Sequence, residues 1–258
     1  MKSSICQYSA IPVRCEPDER SELETQILFG EVFYRLEESG NWVRIKMDYD
    51  GYEGWIVKKL FVPVNDSEVK IWLNSEGKTI SAPFATLIRE PYKAMQIISG
   101  GSRIVFNGED RNSFSIANRE YYLQNLIPER KSDLVEVAKG FLNTWYLWGG
   151  RSSFGIDCSG LTQIVFKIMG YQIPRNASQQ CEQGSFVEYV EEARAGDLAF
   201  FTNGNSSSIT HTGICLGKGR ILHASGEVRI DHLDHKGIYS RERQSYTHQK
   251  AVIKRIIE

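Results

Sequence analysis

One thiol and two imidazoles occur in this sequence in settings suited to acyl chemistry: Cys158, His211 and His223. Cys158 closes the glycine-rich run Trp148-Gly149-Gly150-Arg151-Ser152-Ser153-Phe154-Gly155-Ile156-Asp157 and is followed by Ser159-Gly160. After it Leu161, Ile164, Val165, Ile168 and Met169 recur at helical spacing and Gly170 breaks the pattern, so the cysteine is expected in the first turn of a helix. Unpaired backbone N–H groups and the positive end of the helix dipole favour a thiolate there, and its pKa is expected roughly one to several units below the free value of about 8.5. Such a nucleophile needs a base. His211 lies in Ile209-Thr210-His211-Thr212-Gly213-Ile214-Cys215-Leu216 and His223 in Arg220-Ile221-Leu222-His223-Ala224-Ser225, two short β-type runs separated by Gly217-Lys218-Gly219. That tripeptide reads as a hairpin turn, which pairs the strands antiparallel and makes the histidines neighbours. One imidazole would take the thiol proton and return it to the leaving amine, while the other holds the first in one orientation.

These runs resemble the NlpC-type bacterial cell-wall cysteine peptidases, a compact papain-like branch that cleaves peptidoglycan stem peptides. The resemblance is carried by Tyr146-Leu147-Trp148-Gly149-Gly150, Gly155-Ile156-Asp157-Cys158-Ser159-Gly160, Ala195-Gly196-Asp197-Leu198, His211-Thr212-Gly213-Ile214 and His223-Ala224-Ser225, in the family's order. It implies an α+β fold, with a papain-like catalytic domain over residues 131–258. It also implies Cys158 as nucleophile, His211 as base and His223 as the orienting residue. Tyr146 would assist the oxyanion beside a backbone N–H at the start of the Cys158 helix. Asp157 and Ser159 match positions lining the substrate cleft, although Asp157 could serve only as a helix cap. The stretch Pro174-Arg175-Asn176-Ala177-Ser178-Gln179-Gln180 follows the family pattern except at Asn176, where an aspartate is common. Asparagine keeps a hydrogen-bond acceptor but loses the charge that would hold a substrate ammonium. Arg175 is suited to a substrate carboxylate or to a structural ion pair.

Ahead of residue 131 the pattern changes to short β-type runs and turns. Glu31-Val32-Phe33-Tyr34-Arg35-Leu36, Trp42-Val43-Arg44-Ile45-Lys46 and Gly54-Trp55-Ile56-Val57 read as strands of a small meander. The segment from Pro12 to Ile56 resembles a bacterial SH3-like domain, so residues 1–64 are expected to form one such barrel. Gln96-Ile97-Ile98-Ser99-Gly100 echoes Gln26-Ile27-Leu28-Phe29-Gly30, which suggests a second, divergent barrel over 65–130. Pro128-Glu129-Arg130-Lys131 reads as a linker, with Ser132 capping a helix that buries Leu134, Val137, Ala138 and Phe141. Family members with such barrels resemble γ-D-glutamyl-L-diamino acid endopeptidases, which act on stem peptides with a free N-terminal L-alanine. The resemblance then implies a murein-derived substrate such as L-Ala-γ-D-Glu-L-Lys or its meso-diaminopimelate counterpart. Glu53, Tyr52 and Tyr49 on a barrel loop are the candidates for excluding longer chains and pairing with the free amine.

Composition narrows the remaining classes. A chain of 258 residues, 41% hydrophobic, can bury more than one core. Its net charge of −1, with both signs interspersed, leaves no basic footprint for nucleic acid. No apolar run has the length of a signal peptide or membrane span, and five cysteines at irregular spacing fit a reducing compartment, so a cytoplasmic monomer with no membrane partner is expected. Cys181 and Cys215 read as packed small hydrophobes, Cys6 and Cys15 fall near an N-terminal strand, and His232, His235 and His248 read as solvated. Metal, phosphate-loop and dinucleotide motifs are absent, so no cofactor is expected. Three alternatives stay open: an amidase or acyltransferase using the same triad, zinc held by Cys158, His211, His223 and Cys215, and an inactive wall-binding protein.

Overall fold

The structure is a computed structural model that describes residues 2–108, 112–124, 133–202 and 208–257. It divides into two compact units, Met1–Arg130 with Trp148–Ser153, and Lys131–Leu147 with Phe154–Glu258. In the first unit, strands β1 (Ser3–Ile5), β2 (Ala10–Arg14), β3 (Leu23–Leu28), β4 (Val32–Ser39), β5 (Trp42–Met47) and β6 (Glu53–Val57) pair antiparallel in the order β1-β4-β5-β6-β2-β3. Their apolar residues alternate: Ile11 and Val13, then Val43, Ile45 and Met47, then Ile56, all buried in one core with Ile27 and Phe33. One core shared by five strands requires the sheet to curl into a small barrel. Each of these side chains contributes roughly 1.5–3 kcal/mol by leaving water. Trp42 and Trp55, one register step away from Val43 and Ile56, point to the opposite face and stay half-buried.

Asn65 accepts the Ser67 N–H and so starts α1 (Asp66–Asn74), whose Val69 and Trp72 are buried. Strands β7 (Lys78–Thr79), β8 (Phe84–Arg89), β9 (Ala94–Ser99), β10 (Arg103–Ile104), β11 (Ser113–Ile116) and β12 (Arg119–Leu123) follow. They form a β10-β7 pair and a four-stranded sheet in the order β11-β12-β8-β9. With α1 they enclose an aromatic core in which Phe114 stacks on Tyr121 at 5.2 Å. The two echoed segments close corresponding elements, Gln26 to Leu28 ending β3 and Gln96 to Ser99 ending β9. Residues Trp148–Ser153, expected with the downstream domain, pack in this first unit. Their anchor is Arg151 of β13 (Arg151–Ser152), fully buried and donating to Glu31 at 2.9 Å and to the Gln26 carbonyl at 3.0 Å.

The second unit opens with α2 (Leu134–Lys139), capped by Asp133, whose carboxylate accepts the Val135 N–H. The expected linker at 128–131 and the cap at Ser132 lie outside the described residues. Leu134, Val137, Ala138 and Phe141 are buried. After β14 (Gly155–Ile156) comes α3 (Cys158–Ile168), in which every residue except Lys167 is buried; the helix ends at Met169, with Gly170 at φ +87°. A helix buried on nearly every side lies inside the fold, where its polar Ser159, Thr162 and Gln163 find hydrogen-bond partners. α4 (Ala177–Gln180) is a single turn. Strands β15 (Ser185–Val187), β16 (Leu198–Thr202), β17 (Ile209–Gly217), β18 (Arg220–Ser225), β19 (Glu227–Leu233), β20 (Gly237–Ser240) and β21 (Ser245–Arg255) form an antiparallel sheet in the order β15-β21-β16-β17-β18-β19-β20. β20 also pairs with β21, so six strands close on a core of Ala199, Phe201, Cys215, Ile221, Leu233, Ile238 and Ile253. α3 lies against β17 and β18 and supplies the remaining cover. Among the described residues no helix is long and apolar enough to cross a membrane.

Candidate active site

Asp157 sets the position of the thiol. Its backbone is extended and its carboxylate accepts the Gly160 N–H at 2.7 Å, which makes Cys158 the first residue of α3. The thiol is 7% exposed. Burial pushes its pKa up to about 12 and the adjacent Asp157 carboxylate adds to the rise, outweighing N–H groups of Thr212 and Ser159 that point at the sulfur. The low thiol pKa expected from helix position alone is thus corrected. The cap that begins the helix brings a negative charge, and the packed surroundings withhold the water that would solvate an anion. A thiol in these surroundings holds its proton more tightly than its helix position alone would allow.

Both candidate histidines lie on the β17–β18 hairpin. Gly217, Lys218 and Gly219 all adopt positive φ, 74°, 53° and 64°, and so reverse the chain. The register sets Gly213 opposite His223, with His211 two residues away on the same face. A Cβ on Gly213 would stand 2.8 Å from the His223 Cβ and from Ile221 Cδ1, so glycine is what lets the imidazoles approach. His211 Nε2 lies 2.9 Å from His223 Nδ1, with the rings nearly perpendicular. Thr212, whose N–H points at sulfur, follows His211 directly, so the start of β17 and the start of α3 meet at the thiol. His223 Nδ1 engages His211 Nε2, so His211 Nδ1 is the ring nitrogen outside that bond.

The second ring nitrogen of His223, Nε2, is 3.1 Å from Asp231 Oδ2, and Asp231 pairs with Arg229 Nε at 3.0 Å. Burial opposes ionisation of Asp231, but the His223 bond and the guanidinium prevail and hold its pKa below the usual value. Burial drives His211 well below its ordinary pKa, with His248 and His223 adding to the fall. His248, expected to be solvated, is instead half-buried on β21 and stacks on His211 at 4.0 Å; burial lowers its pKa to about 4. The sheet order explains this correction, because β21 and β17 both pair with β16, which sets His248 within reach of His211.

Tyr146 reaches the same place through its backbone. Its N–H donates to the Gly226 carbonyl at 2.8 Å, just beyond β18, and it bridges to Ile156, just before the nucleophile. Burial, then the adjacent Cys158 and Asp157, push the phenol pKa up and keep it a hydrogen-bond donor. Tyr146, His211, Ser225, Tyr246 and His248 border a cavity of about 860 Å³. Among the described residues the cluster with metal-ligand spacing is His211, His223 and His248, whose ring nitrogens lie within 4.8 Å of one another. Neither Cys158 nor Cys215 belongs to it, and Cys215 is buried in the apolar core.

Residues 143–248 match the NlpC/P60 family, and residues 13–59 match the bacterial dipeptidyl-peptidase SH3 domain. The γ-D-glutamyl-L-lysine dipeptidyl-peptidase of Bacillus subtilis (strain 168) is 30% identical over 226 residues, 78% of this chain and 72% of that protein. The chain belongs to the NlpC/P60 family. It is a cysteine peptidase with an N-terminal SH3-like domain. The dipeptidyl-peptidase 6 of Lysinibacillus sphaericus is 27% identical over 85% of this chain and 87% of its own. An NlpC/P60 family protein of Bacillus cereus ATCC 10987 shares the fold, with a TM-score of 0.84 at 23% identity over 99% of this chain and 100% of that one.

In this NlpC/P60 peptidase the other sequence-selected residues fall into two groups. Arg175 spends its planar fork on Asp157, at 3.0 and 2.6 Å, and also donates to Ser159 Oγ at 2.9 Å. All three are buried, so they brace the start of α3. Asn176 is exposed at the N-cap of α4 without a capping bond from its side chain. In the first unit Glu53 pairs with Arg44 and Lys46, the Tyr52 hydroxyl donates to Glu24 at 2.7 Å, and Tyr49 packs its ring on the Arg151 guanidinium at 5.4 Å. Sequence reading missed Asp231, Arg229 and His248. For Asp231 a signal existed: extending the strand alternation through the Gly226 turn sets His223 against Arg229 and Ile221 against Asp231, all on one face.

Proposed function

We propose that this peptidase hydrolyses the γ-D-glutamyl-L-diamino acid bond of peptidoglycan-derived stem peptides bearing a free N-terminal L-alanine, as in L-Ala-γ-D-Glu-L-Lys or its meso-diaminopimelate form. The names of its relatives supply the substrate class. The observation that supports the chemistry is the His211–His223 bond on the strand whose Thr212 N–H points at the helix-starting Cys158. As sulfur attacks the γ-carbonyl carbon, His211 Nδ1 takes the thiol proton, and the rising negative charge on oxygen meets the Tyr146 hydroxyl and the N-terminus of α3. His211 then hands its proton to the departing amine. Water, deprotonated by the same imidazole, hydrolyses the thioester and restores the thiol. The need for a free amine, and the part of Glu53, Tyr52 and Tyr49 in meeting it, belong to the same proposal. Five unpaired thiols fit a reducing compartment, and turnover of murein peptides in the cytoplasm is the proposed setting.

The test is to incubate the protein with the tripeptide in free and N-acetylated form and identify the products by mass. Cleavage between D-Glu and L-Lys of the free peptide alone is expected, with Cys158→Ala slower by about 10³-fold or more. No cleavage of the free peptide would remove the bond assignment. Equal turnover of both forms would remove the amine requirement.

A further inference from the structure

We propose that Asp231 is a positioning residue that sets the tautomers of both site histidines and thereby makes His211 Nδ1 a base. The inference rests on the proposed roles of Cys158 and His211 and adds a member to their chain. An ionised carboxylate can only accept hydrogen bonds. With Asp231 Oδ2 3.1 Å from His223 Nε2, that nitrogen must carry a hydrogen, and a ring with a single hydrogen then has its lone pair on Nδ1. Nδ1 faces His211 Nε2 at 2.9 Å, so His211 must be the donor in that bond. Its own lone pair then lies on Nδ1, the atom proposed to take the proton from sulfur. Two successive hydrogen bonds thus acquire one direction from a single carboxylate at their far end.

The reverse arrangement is chemically equivalent without Asp231. His223 could then hold its hydrogen on Nδ1 and donate to His211 Nε2, which would protonate His211 Nδ1 and abolish the base. The surroundings oppose this reversal. Asp231, His223 and His211 are 9%, 1% and 6% exposed, so water offers little competition for their bonds. Arg229 Nε lies 3.0 Å from Asp231 Oδ2 and its guanidinium is itself held by Glu242 at 2.9 Å, which keeps a positive charge against the carboxylate. The parallel stack of His248 at 4.0 Å holds the plane of the His211 ring, so the tautomer and the ring orientation come from different residues.

Nitrogen-15 spectra of histidine-labelled protein at neutral pH read the tautomers directly, and kinetics on the tripeptide read their consequence. The expected spectra show His211 and His223 both with hydrogen on Nε2. Asp231→Leu, which removes the acceptor, should populate the Nδ1–H form of His223 and lower kcat by about 10²–10⁴-fold with KM within about threefold. Asp231→Asn retains an oxygen that can accept from His223 and should recover at least about tenfold of that loss. A wild-type spectrum with hydrogen on His223 Nδ1 overturns the proposal even if Asp231→Leu fails to fold. So does a folded Asp231→Leu protein with unchanged kcat. Continued cleavage by Cys158→Ala would count against the nucleophile alone, because the tautomer spectra do not depend on which group attacks.

Discussion

At the scale of single residues, burial disfavours charge on both the Cys158 thiol and the His211 imidazole. Cys158 is flanked by Asp157 and shielded from water, which pushes its thiol pKa up to about 12. His211 is held neutral by the same exclusion of water. A neutral thiol beside a neutral imidazole differs from a preformed ion pair in one measurable way. Because only the thiolate is alkylated and its pKa lies above the working range, each unit of pH between 7 and 9 raises the thiolate fraction about tenfold. The rate of carboxamidomethylation at Cys158, followed by peptide mass, should rise with that slope. A rate independent of pH from about 5 upward would show a preformed ion pair and refute a neutral resting state.

At the scale of elements, the hairpin and the helix meet the same problem, which is to bring polar groups together inside a packed interior. α3 solves it with a cap and a buried ion pair: Asp157 accepts from Gly160 and receives the Arg175 fork. The hairpin solves it with an absent side chain at Gly213. Gly213→Ala would press a methyl group against His223 and Ile221, both at 2.8 Å, within two adjacent strands that cannot separate without breaking the ladder. The expected result is a stability loss of about 1–3 kcal/mol, as for overpacking generally. Activity should fall further than stability explains, because the His211–His223 distance changes. Thermal unfolding together with kcat for this variant checks both, and a wild-type kcat would show that the imidazoles tolerate displacement. Helix and hairpin were legible in the sequence, since spacing and turn residues act locally, whereas the need for glycine at 213 came from the strand register. The ion pair was one of two readings there, because a free arginine fork and an occupied one share the same residue.

At the scale of the molecule, two units with separate cores carry thiols that report on each. Cys6 is buried in the first barrel and Cys215 in the second unit's core, and burial raises both thiol pKa values, that of Cys215 to about 12. Cys15 is exposed. In the native protein a chromogenic disulfide reagent should react promptly at Cys15 and slowly at Cys6 and Cys215. As denaturant is raised, the points at which Cys6 and Cys215 become reactive record the unfolding of their own units. Prompt native-state reaction of either buried thiol would contradict its burial in a packed core. Near-neutral net charge adds no long-range field for a polyanion, in keeping with a small peptide as the proposed substrate.

By itself the sequence determined what depends on neighbours along the chain. A period of 3.6 placed Cys158 at a helix start, three turn residues paired the histidine strands, and alternation laid out the first barrel. Tertiary structure decided what depends on residues far apart: the thiol's high pKa, the stacking of His248 on His211, and the Asp231 carboxylate behind His223. The physical reason is that desolvation and hydrogen-bond direction are set by everything that surrounds a group. A linear pattern specifies only the neighbours along the chain, and the rest are chosen when the strands take their order in the sheet.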